Sequence, residues 1–393
     1  MTRRLRRGFI AVGMALIAFS CSFSIFAQQN EDSLAFARAQ HLKRGINASQ
    51  WFSNWSRDYS VHRLETYTAE DDIALIAAVG FDHVRLQIDP DPLVQWQAQV
   101  QWGGGNTPFM TQLDRAVEMI LDHHLSVIID LHPQNSYKMA LRQGATNVPE
   151  FIELWRDLAA HFASTDPEHV FFEIMNEPNQ DDTYHWQGIQ NAVARTIRSV
   201  APHHTIIADP DRLSTIDDLL AMEPIGLPNV IYGFHNYEPH AFTHQGATWN
   251  SVLLQPLRQI PYPSSPEAIS SKLDQEPTLA GKYFLAQYGL ERWDGARLEA
   301  MIEYAAKWSQ LHHVPVYCSE FGAMRRYAEP SQRAQYLHDM RVALEKNHIG
   351  WAMWDYQDSF GLVTKANGVT TPDAGVLKAL GLHEATESEH EAK

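Results

Sequence analysis

Short apolar runs rich in β-branched residues alternate with amphipathic stretches along the chain from His41 onward. Val-Ile-Ile-Asp-Leu at 127–131 and Val-Phe-Phe-Glu-Ile-Met at 170–175 are nearly continuous in hydrophobicity, which is typical of strands buried on both faces of a parallel sheet. Eight runs of this kind predict strands, at Arg44–Asn47, His83–Ile88, Ser126–His132, Val170–Glu177, Thr205–Asp209, Val230–Tyr237, Val314–Phe321 and Ile349–Tyr356.

Between these runs the apolar residues recur with helical spacing. The predicted helices are Glu70–Val79, Gln112–His124, Pro149–Ala163, His185–Val200, Ile216–Met222, Leu298–His312 and Gln332–Lys346. A strand followed by a helix, repeated through eight strands, predicts an α/β fold, the closed (β/α)8 TIM barrel, as a single domain. An open doubly wound sheet is the alternative, but no Gly-x-Gly-x-x-Gly motif follows the first strand, and Gly103-Gly104-Gly105 falls in a long loop.

The barrel domain is predicted over residues 41–382, after an N-terminal extension at 28–40. Its connection after the sixth strand, about 238–294, is far longer than an ordinary strand-to-helix loop and is rich in aromatic residues. We expect this insertion to form a cleft wall or a lid. The polar tail at 383–393 is predicted to be disordered.

Residues 1–27 have the pattern of a signal peptide. Four arginines lie between Arg3 and Arg7, an apolar run follows from about Gly8 to Phe26, and the mature chain is expected to begin near Gln28. The predicted location is therefore secreted or periplasmic. The alternatives are an uncleaved anchor, because the apolar run is long, a lipoprotein cut at Cys21, and a twin-arginine route.

The overall charge disfavours nucleic acid as a partner. Among 393 residues, Lys and Arg number 31 against 47 Asp and Glu, which gives a formal net charge of −16. Such a surface repels phosphate backbones, whereas neutral substrates remain open. After signal cleavage only Cys318 remains, so the mature chain has no internal disulfide and no Cys-x-x-Cys redox or zinc motif.

Polar residues occupy the carboxyl ends of the predicted strands, where (β/α)8 enzymes carry their working groups. They are Arg85, Asp130, His132, Asn176, Glu177, His235, Tyr237, Glu320, Trp354 and Asp355. A carboxylate buried there costs several kcal/mol unless it is paired. Glu177 and Glu320 could simply form structural ion pairs with Arg85. They could also hydrolyse a glycoside, retaining the anomeric configuration if about 5–5.5 Å apart and inverting it if about 6.5–9.5 Å apart.

Six short motifs lie at these predicted strand ends. They are Val84-Arg85-Leu86, Asp130-Leu131-His132, Ile174-Met175-Asn176-Glu177-Pro178, His235-Asn236-Tyr237, Ser319-Glu320-Phe321-Gly322 and Trp351-Ala352-Met353-Trp354. With these six motifs in this order, the stretch from Arg44 to Tyr356 resembles glycoside hydrolase family 5, the cellulase family. The motifs do not indicate a subfamily.

The resemblance implies that Glu177 is the acid/base and Glu320 the nucleophile. Arg85 and the Tyr237 hydroxyl would hydrogen-bond Glu320 and keep it ionised, and Asn176 would bond the sugar 2-hydroxyl. We expect the charge of Glu320 to raise the pKa of Glu177. Because neighbours in a regular strand point to opposite faces, we also expect a bulge or a strand end at Asn176 and Glu177.

Further sugar contacts are expected from His132 and His235 through hydrogen bonds and from Trp354 through stacking. Asp130 is expected to orient a histidine or an arginine. Core histidines satisfied by protein partners are the alternative for the two imidazoles. Among the aromatic residues of the predicted loops, Trp51 and Trp249 are the candidates for further sugar platforms, with ordinary packing as the alternative for each.

No metal and no cofactor are expected. The doublets His123-His124, His203-His204 and His312-His313 fall at predicted helix ends or before strands, at the opposite end of the barrel. A metal-dependent barrel hydrolase needs His-x-His near the first strand, which Arg44–Asn47 lacks. Cys318 is expected to fill the barrel interior.

These features together predict an exported retaining endo-β-glycosidase that hydrolyses β-1,4-glucan. A β-mannanase and an exo-acting β-glucanase are the alternatives on the same scaffold, and a non-catalytic carbohydrate-binding protein is the alternative outside enzymes. The expected partner is a β-linked polysaccharide or oligosaccharide. No partner protein is implied, and a monomer is expected.

Overall fold

The computed structural model describes residues 34–144 and 147–384; the predicted signal peptide and most of the predicted tail lie outside them. Eight parallel strands close into a barrel in sequence order, β1 to β8. They are β1 Arg44–Asn47, β2 His83–Ile88, β3 Ser126–Leu131, β4 Val170–Glu173, β5 Thr205–Ala208, β6 Val230–His235, β7 Val316–Phe321 and β8 Gly350–Met353. The predicted (β/α)8 fold is confirmed, and the open-sheet alternative is wrong.

Several strands end before the predicted residue. β4 stops at Glu173 rather than Glu177, and β6 at His235 rather than Tyr237. The chain beyond them is still hydrogen-bonded to its neighbours, since the Asn176 amide donates to the Leu131 carbonyl at 2.9 Å. The backbone leaves the regular ladder after β4, but Ile174 and Met175 remain buried. The apolar run in the sequence therefore extends past the end of the strand.

Helices surround the barrel. They are α1 (34–39), α2 Val61–Thr66, α3 Glu70–Ala78, α4 Pro90–Gln101, α5 Pro108–Asp122, α6 Asn135–Gln143, α7 Asn147–His161, α8 Thr183–Val200, α9 Ile216–Leu220, α10 His240–Thr243, α11 Pro266–Gln275, α12 Leu279–Glu291, α13 Gly295–His312, α14 Pro330–Lys346 and α15 Ala374–Ala379. Each of the seven predicted helices is present. The sequence reading missed α4, whose start is marked by the Asp89 cap and Pro90, because its glutamine-rich pattern lacks a clear apolar stripe.

The insertion after β6 is helical and packs mainly against the outside of the barrel. The rings of Phe242 and Tyr262 pack against the ring of Tyr336 of α14 at centroid distances of 5.7 and 5.5 Å. The Tyr262 hydroxyl also donates to Asp339 of the same helix at 2.8 Å. Only the first part of the insertion reaches the cleft described below. The expectation of a cleft wall or a lid is therefore met as a wall by that part, and α11 and α12 take no part in the cleft lining.

The barrel interior changes character from one end to the other. Leu42, Ile128, Phe171, Ile207, Ile231, Tyr317 and Ala352 form one apolar cluster within it. Toward the carboxyl ends of the strands, the buried side chains are Arg85, Asp130 and Glu173 instead. The functional site therefore lies above an ionic layer.

None of the helices in the described residues is long and apolar enough to cross a membrane. A hairpin of β9 Val363–Ala366 and β10 Val369–Pro372 follows β8.

Candidate active site

A cleft of about 450 Å³ opens at the carboxyl ends of the strands. Loops after six of the eight strands contribute to its wall, and both predicted carboxylates lie in it. The predicted site residues that line the cleft are His132, Asn176, Glu177, His235, Tyr237, Glu320, Trp354 and Trp249. Arg85 lies fully buried and contacts Glu320, while Trp51 is not part of the lining.

The two glutamates converge. A carboxylate oxygen of Glu177 lies within 4.8 Å of one from Glu320. Glu177 has a left-handed backbone conformation, with φ of 43°, which costs a non-glycine residue of order 1–3 kcal/mol and persists only where surrounding contacts impose it. This conformation and the early end of β4 allow Asn176 and Glu177 to line the same cleft. The expected strand end at this position is confirmed.

Glu320 is held by two donors, one from β2 and one from the segment that follows β6. Arg85 Nη1 donates to one carboxylate oxygen at 2.7 Å, and the Tyr237 hydroxyl donates to the other at 2.8 Å. Burial and the charge of Glu320 raise the pKa of Tyr237 well above its usual range, so this hydroxyl remains protonated. Both expected contacts to Glu320 are present, and they fix the orientation of a carboxylate that is itself almost fully buried.

Arg85 also pairs with carboxylates that are not exposed to the cleft. It forms a bidentate pair with Glu173 at 2.8 and 2.6 Å and an ion pair with Asp130 at 3.0 Å. Burial raises the pKa of Asp130 to about 6 and also raises that of Glu173. The structural ion pair considered from sequence is thus real, but its main partner is Glu173. Sequence reasoning missed Glu173, although an acid inside Val-Phe-Phe-Glu-Ile was a visible signal.

His235 connects the two glutamates. The β6 and β7 ladder shifts register after Phe234 and places His235 opposite Glu320. Its Nδ1 lies 3.0 Å from Glu177 Oε1 and 3.6 Å from Glu320 Oε2. Burial alone would lower the pKa of His235, but the charge of Glu320 and the hydrogen bond to Glu177 outweigh it and raise that pKa.

The partner carboxylate shows the opposite shift. Burial favours a higher pKa for Glu177, but the hydrogen bond and charge of His235, with the charge of Lys138, lower it to about 2. The expectation that the pKa of Glu177 is raised is therefore wrong for the free cleft, because the hydrogen bond and charge of His235 lower that pKa. The expected sugar contact of His235 stays a prediction: its Nδ1 is engaged by carboxylates, whereas its Nε2 has no hydrogen-bond partner among the described residues and the side chain lines the cleft.

The side chain of His132 is held by contacts to Asp130 and Trp354. Its Nδ1 lies 2.9 Å from Asp130 Oδ2, and its ring stacks on Trp354 at 5.7 Å with an interplanar angle of 21°. Burial lowers the pKa of His132 to about 3, so the ring is neutral. The expectation that Asp130 orients a histidine or an arginine agrees with this geometry, since Asp130 contacts both His132 and Arg85.

The two loop tryptophans predicted as sugar platforms differ. Trp249 is 55% exposed and lines the cleft. Trp51 is 1% exposed, and its indole N–H donates to the Leu64 carbonyl at 2.7 Å. The prediction for Trp51 is wrong, because the ring packs beside Phe52 in the core. Trp55 from the same loop is 70% exposed and does line the cleft.

A buried lysine was also missed. Lys138 of α6 lines the cleft, yet it is only 5% exposed. It shares the buried face of α6 with Leu141, three residues further along. A lysine at this spacing was the available signal, but α6 itself was not recognised.

Within the described residues, the His, Cys, Asp and Glu side chains close enough to hold a metal are Glu177, His235 and Glu320. Their approach is accounted for by the hydrogen bond between His235 and Glu177 and by the contacts of Glu320 to Arg85 and Tyr237. The expectation of a metal-independent site stays a prediction. Chemically, the arrangement offers one carboxylate fixed by two donors and a second that shares a proton with an imidazole, which suits nucleophilic and acid/base work on one bond.

A sequence comparison identifies the family to which the chain belongs. The sequence model described as Cellulase (glycosyl hydrolase family 5) matches residues 43–359. The chain is 29% identical to Endoglucanase 3 of Fibrobacter succinogenes over 359 residues, covering 87% of this chain but only 53%, about half, of that protein. It is 26% identical to Endoglucanase C of Acetivibrio thermocellus over 322 residues, covering 80% and 91% of the two chains.

Solved structures agree on the fold. Thermotoga maritima Cel5A, solved in complex with mannotriose, superposes with a TM-score of 0.68 at 23% identity, covering 88% of this chain and 99% of that one. At this identity the likeness concerns the (β/α)8 architecture alone.

Proposed function

Because the chain belongs to the cellulase family, glycosyl hydrolase family 5, we propose that it is an exported, retaining endo-β-1,4-glucanase that works without a metal. The observation that carries the mechanistic part is the convergence of Glu177 and Glu320, with oxygens within 4.8 Å of one another. Retaining glycosidases hold their two carboxyl groups about 5–5.5 Å apart, whereas inverting enzymes leave about 6.5–9.5 Å for a water molecule.

In the proposed first step, Glu320 attacks the anomeric carbon while Glu177 protonates the departing glycosidic oxygen. A glycosyl ester forms on Glu320, and the shortened chain leaves as an alcohol. The proton comes from the Glu177 and His235 pair, which holds it on the imidazole in the free cleft. Arg85 and Tyr237 bind the Glu320 carboxylate and orient its attacking oxygen.

In the second step, Glu177 removes a proton from water, and the resulting nucleophile attacks the anomeric carbon and releases Glu320. Two inversions give net retention. We assign the sugar 2-hydroxyl to Asn176, which lines the cleft beside Glu177 and whose Oδ1 is fixed by Arg85 Nη2 at 3.0 Å. Trp354, with His132 stacked on it, supplies an aromatic face for the sugar that is cleaved.

Endo action is favoured by the way in which the insertion packs. Its helices α11 and α12 are absent from the cleft lining, whereas Trp249 and His244 from its first part do contribute. Both relatives above are named endoglucanases, and this supports a β-1,4-glucan substrate. Export rests on the sequence pattern of residues 1–27, and N-terminal sequencing of protein collected outside the cytoplasm is expected to start near Gln28.

The substrate assignment is tested by parallel hydrolysis of carboxymethyl-cellulose, glucomannan, laminarin and xyloglucan. We expect the highest rate on carboxymethyl-cellulose, with viscosity falling early relative to the release of reducing ends, and β-anomeric product appearing first by NMR. Faster hydrolysis of glucomannan would favour a mannanase instead. Absence of activity on every β-1,4-glucan contradicts the glucanase assignment, and sugar binding without any turnover contradicts the enzymatic one.

A further inference from the structure

Lys138 is a buried cation that the steps above leave without a role. It belongs to α6, is 5% exposed, and lines the cleft. The charges of Glu177, Asp130 and Glu320 act on its ammonium. Its side chain is buried, and removing an ammonium from water costs several kcal/mol unless acceptors meet it. An acceptor supplied by a ligand would offset that cost.

The loop that carries Glu177 is tied to the segment that carries Lys138. The Asn176 amide donates to the Leu131 carbonyl at 2.9 Å, and Gln180 Nε2 donates to the Lys138 carbonyl at 3.2 Å. These bonds hold the acid/base loop and the start of α6 side by side. Among the carboxylates, Glu177 has the largest electrostatic effect on Lys138. Burial lowers the pKa of Lys138, and the charge of Glu177 opposes this lowering more than the charge of Asp130 does.

The position of Lys138 relative to the scissile bond follows from the chemistry. An acid/base carboxyl must contact the departing oxygen, whereas the nucleophile lies beneath the sugar that becomes attached to the enzyme. A group held against the Glu177 loop therefore lies on the side of the leaving sugar.

The charges around Lys138 indicate which kind of ligand its ammonium can bind. Glu177, Asp130 and Glu320 already act on the ammonium, so an anionic ligand would meet several like charges. Neutral hydroxyl oxygens match its three N–H donors.

We propose that Lys138 determines specificity on the leaving-group side by donating hydrogen bonds to hydroxyls of the departing sugar. This inference rests on the proposed glycosidase function. A substrate with a hydroxyl-bearing sugar as leaving group uses Lys138, whereas a flat aryl leaving group does not.

The first test compares Lys138→Met with the native enzyme on cellotetraose and on 4-methylumbelliferyl cellobioside. We expect kcat/KM to fall about 10- to 100-fold on cellotetraose, as for the loss of hydrogen bonds from a charged donor. On the aryl cellobioside it should change by less than about threefold, because the aryl leaving group has no sugar hydroxyls for the ammonium to bind. Lys282→Met, at an exposed position of α12, is the matched control and should change neither value.

The second test separates sugar binding from an effect on Glu177. The enzyme is fed 4-methylumbelliferyl cellobioside with added cellobiose, and the ratio of glycosyl transfer to hydrolysis is measured. Glu177 serves as base for both fates of the intermediate, so this ratio reports how well the acceptor sugar binds on the leaving-group side. Lys138→Met should lower the ratio about tenfold.

Three results would overturn the inference: an unchanged kcat/KM on cellotetraose, equal losses on both substrates, or an unchanged transfer ratio. Equal losses would mean that Lys138 acts through Glu177 or through the fold. A native enzyme inactive on both cellotetraose and the aryl cellobioside is a separate outcome, because it refutes the proposed function and this inference with it.

Discussion

His235 Nδ1 lies 3.0 Å from Glu177 Oε1, so an imidazole and a carboxylate share one proton in the middle of the cleft. The pKa of His235 is raised and that of Glu177 is lowered to about 2, which places the proton on the imidazole before substrate binds. Such a pair titrates as a unit. The acid that starts the proposed reaction is therefore the pair, not Glu177 alone.

This relationship sets the alkaline limb of the activity profile. The limb of kcat/KM should report the loss of the shared proton and lie above the ordinary histidine pKa of about 6.5. In His235→Asn, Glu177 loses the partner that stabilises its ionised form. Its own pKa then rises from about 2, yet stays below that of the native pair, so the limb should move to lower pH. Rates on cellotetraose, whose departing sugar needs that proton, from pH 4 to 9 measure both limbs. His338→Asn, at an exposed site, is the control, and an unmoved limb in His235→Asn would refute the shared proton.

Removal of the proposed nucleophile should be severe and chemically reversible. Glu320→Ala should lose about 10³-fold or more in rate, since no covalent intermediate can form. Azide can enter the space left by the carboxylate, attack the anomeric carbon directly, and give a glycosyl azide of inverted configuration. The rate with and without azide and the anomeric configuration of the product are the measurements. Glu303→Ala on α13 should remain fully active, and near-native turnover in Glu320→Ala would refute the assignment.

The two tryptophans should separate stability from binding. Trp51→Ala removes a buried ring and its hydrogen bond to Leu64 and should cost about 3–5 kcal/mol in the free energy of unfolding. Trp249→Ala, at an exposed position, should change that free energy by less than about 0.5 kcal/mol. It should instead raise KM for cello-oligosaccharides several-fold, because a sugar platform is lost. Urea unfolding and steady-state kinetics of both variants make the comparison, and the reverse pattern would contradict the assignment of Trp249 to the cleft.

The raised pKa of Asp355 predicts how the free energy of unfolding depends on pH. Burial raises the pKa of Asp355 to about 7, although the Ser49 hydroxyl donates to it. An unfolded aspartate has a pKa of about 3.9, so the folded state binds the proton more tightly between about pH 4 and 7. This group's contribution to stability is therefore largest below about pH 4 and is lost as the pH rises through 7, at up to about 1.4 kcal/mol per pH unit.

Asp355→Asn removes that titration. Relative to the native protein, its free energy of unfolding should improve steadily from pH 4 to pH 7.5, as measured by urea unfolding at several pH values. Asp274→Asn, at an exposed position of α11, should keep the native pH dependence. Parallel profiles for Asp355→Asn and the native protein would show that Asp355 is not protonated on folding.

Much of the barrel followed from the sequence because its signals are local. The bounds of β1 and β2 agree with the predicted runs Arg44–Asn47 and His83–Ile88, since an apolar run flanked by polar residues marks a buried strand wherever it lies. Glu177 and Glu320 were found for a related reason: carboxylates after such runs must meet at one end of a closed barrel. The strand ends were less predictable, because Ile174 and Met175 stay buried after β4 has ended.

The sequence by itself therefore determined the fold class, the order of the strands and the identity of the two converging glutamates. Only the tertiary structure decided which tryptophan is exposed, where the proton resides, and that Glu173 and Lys138 belong to the site. Exposure depends on which distant segments pack together, as the contact of Trp51 with Leu64 illustrates. Proton affinity depends on every charge within a poorly screened interior, and His235 and Glu177, 58 residues apart in the chain, meet only once the barrel has closed.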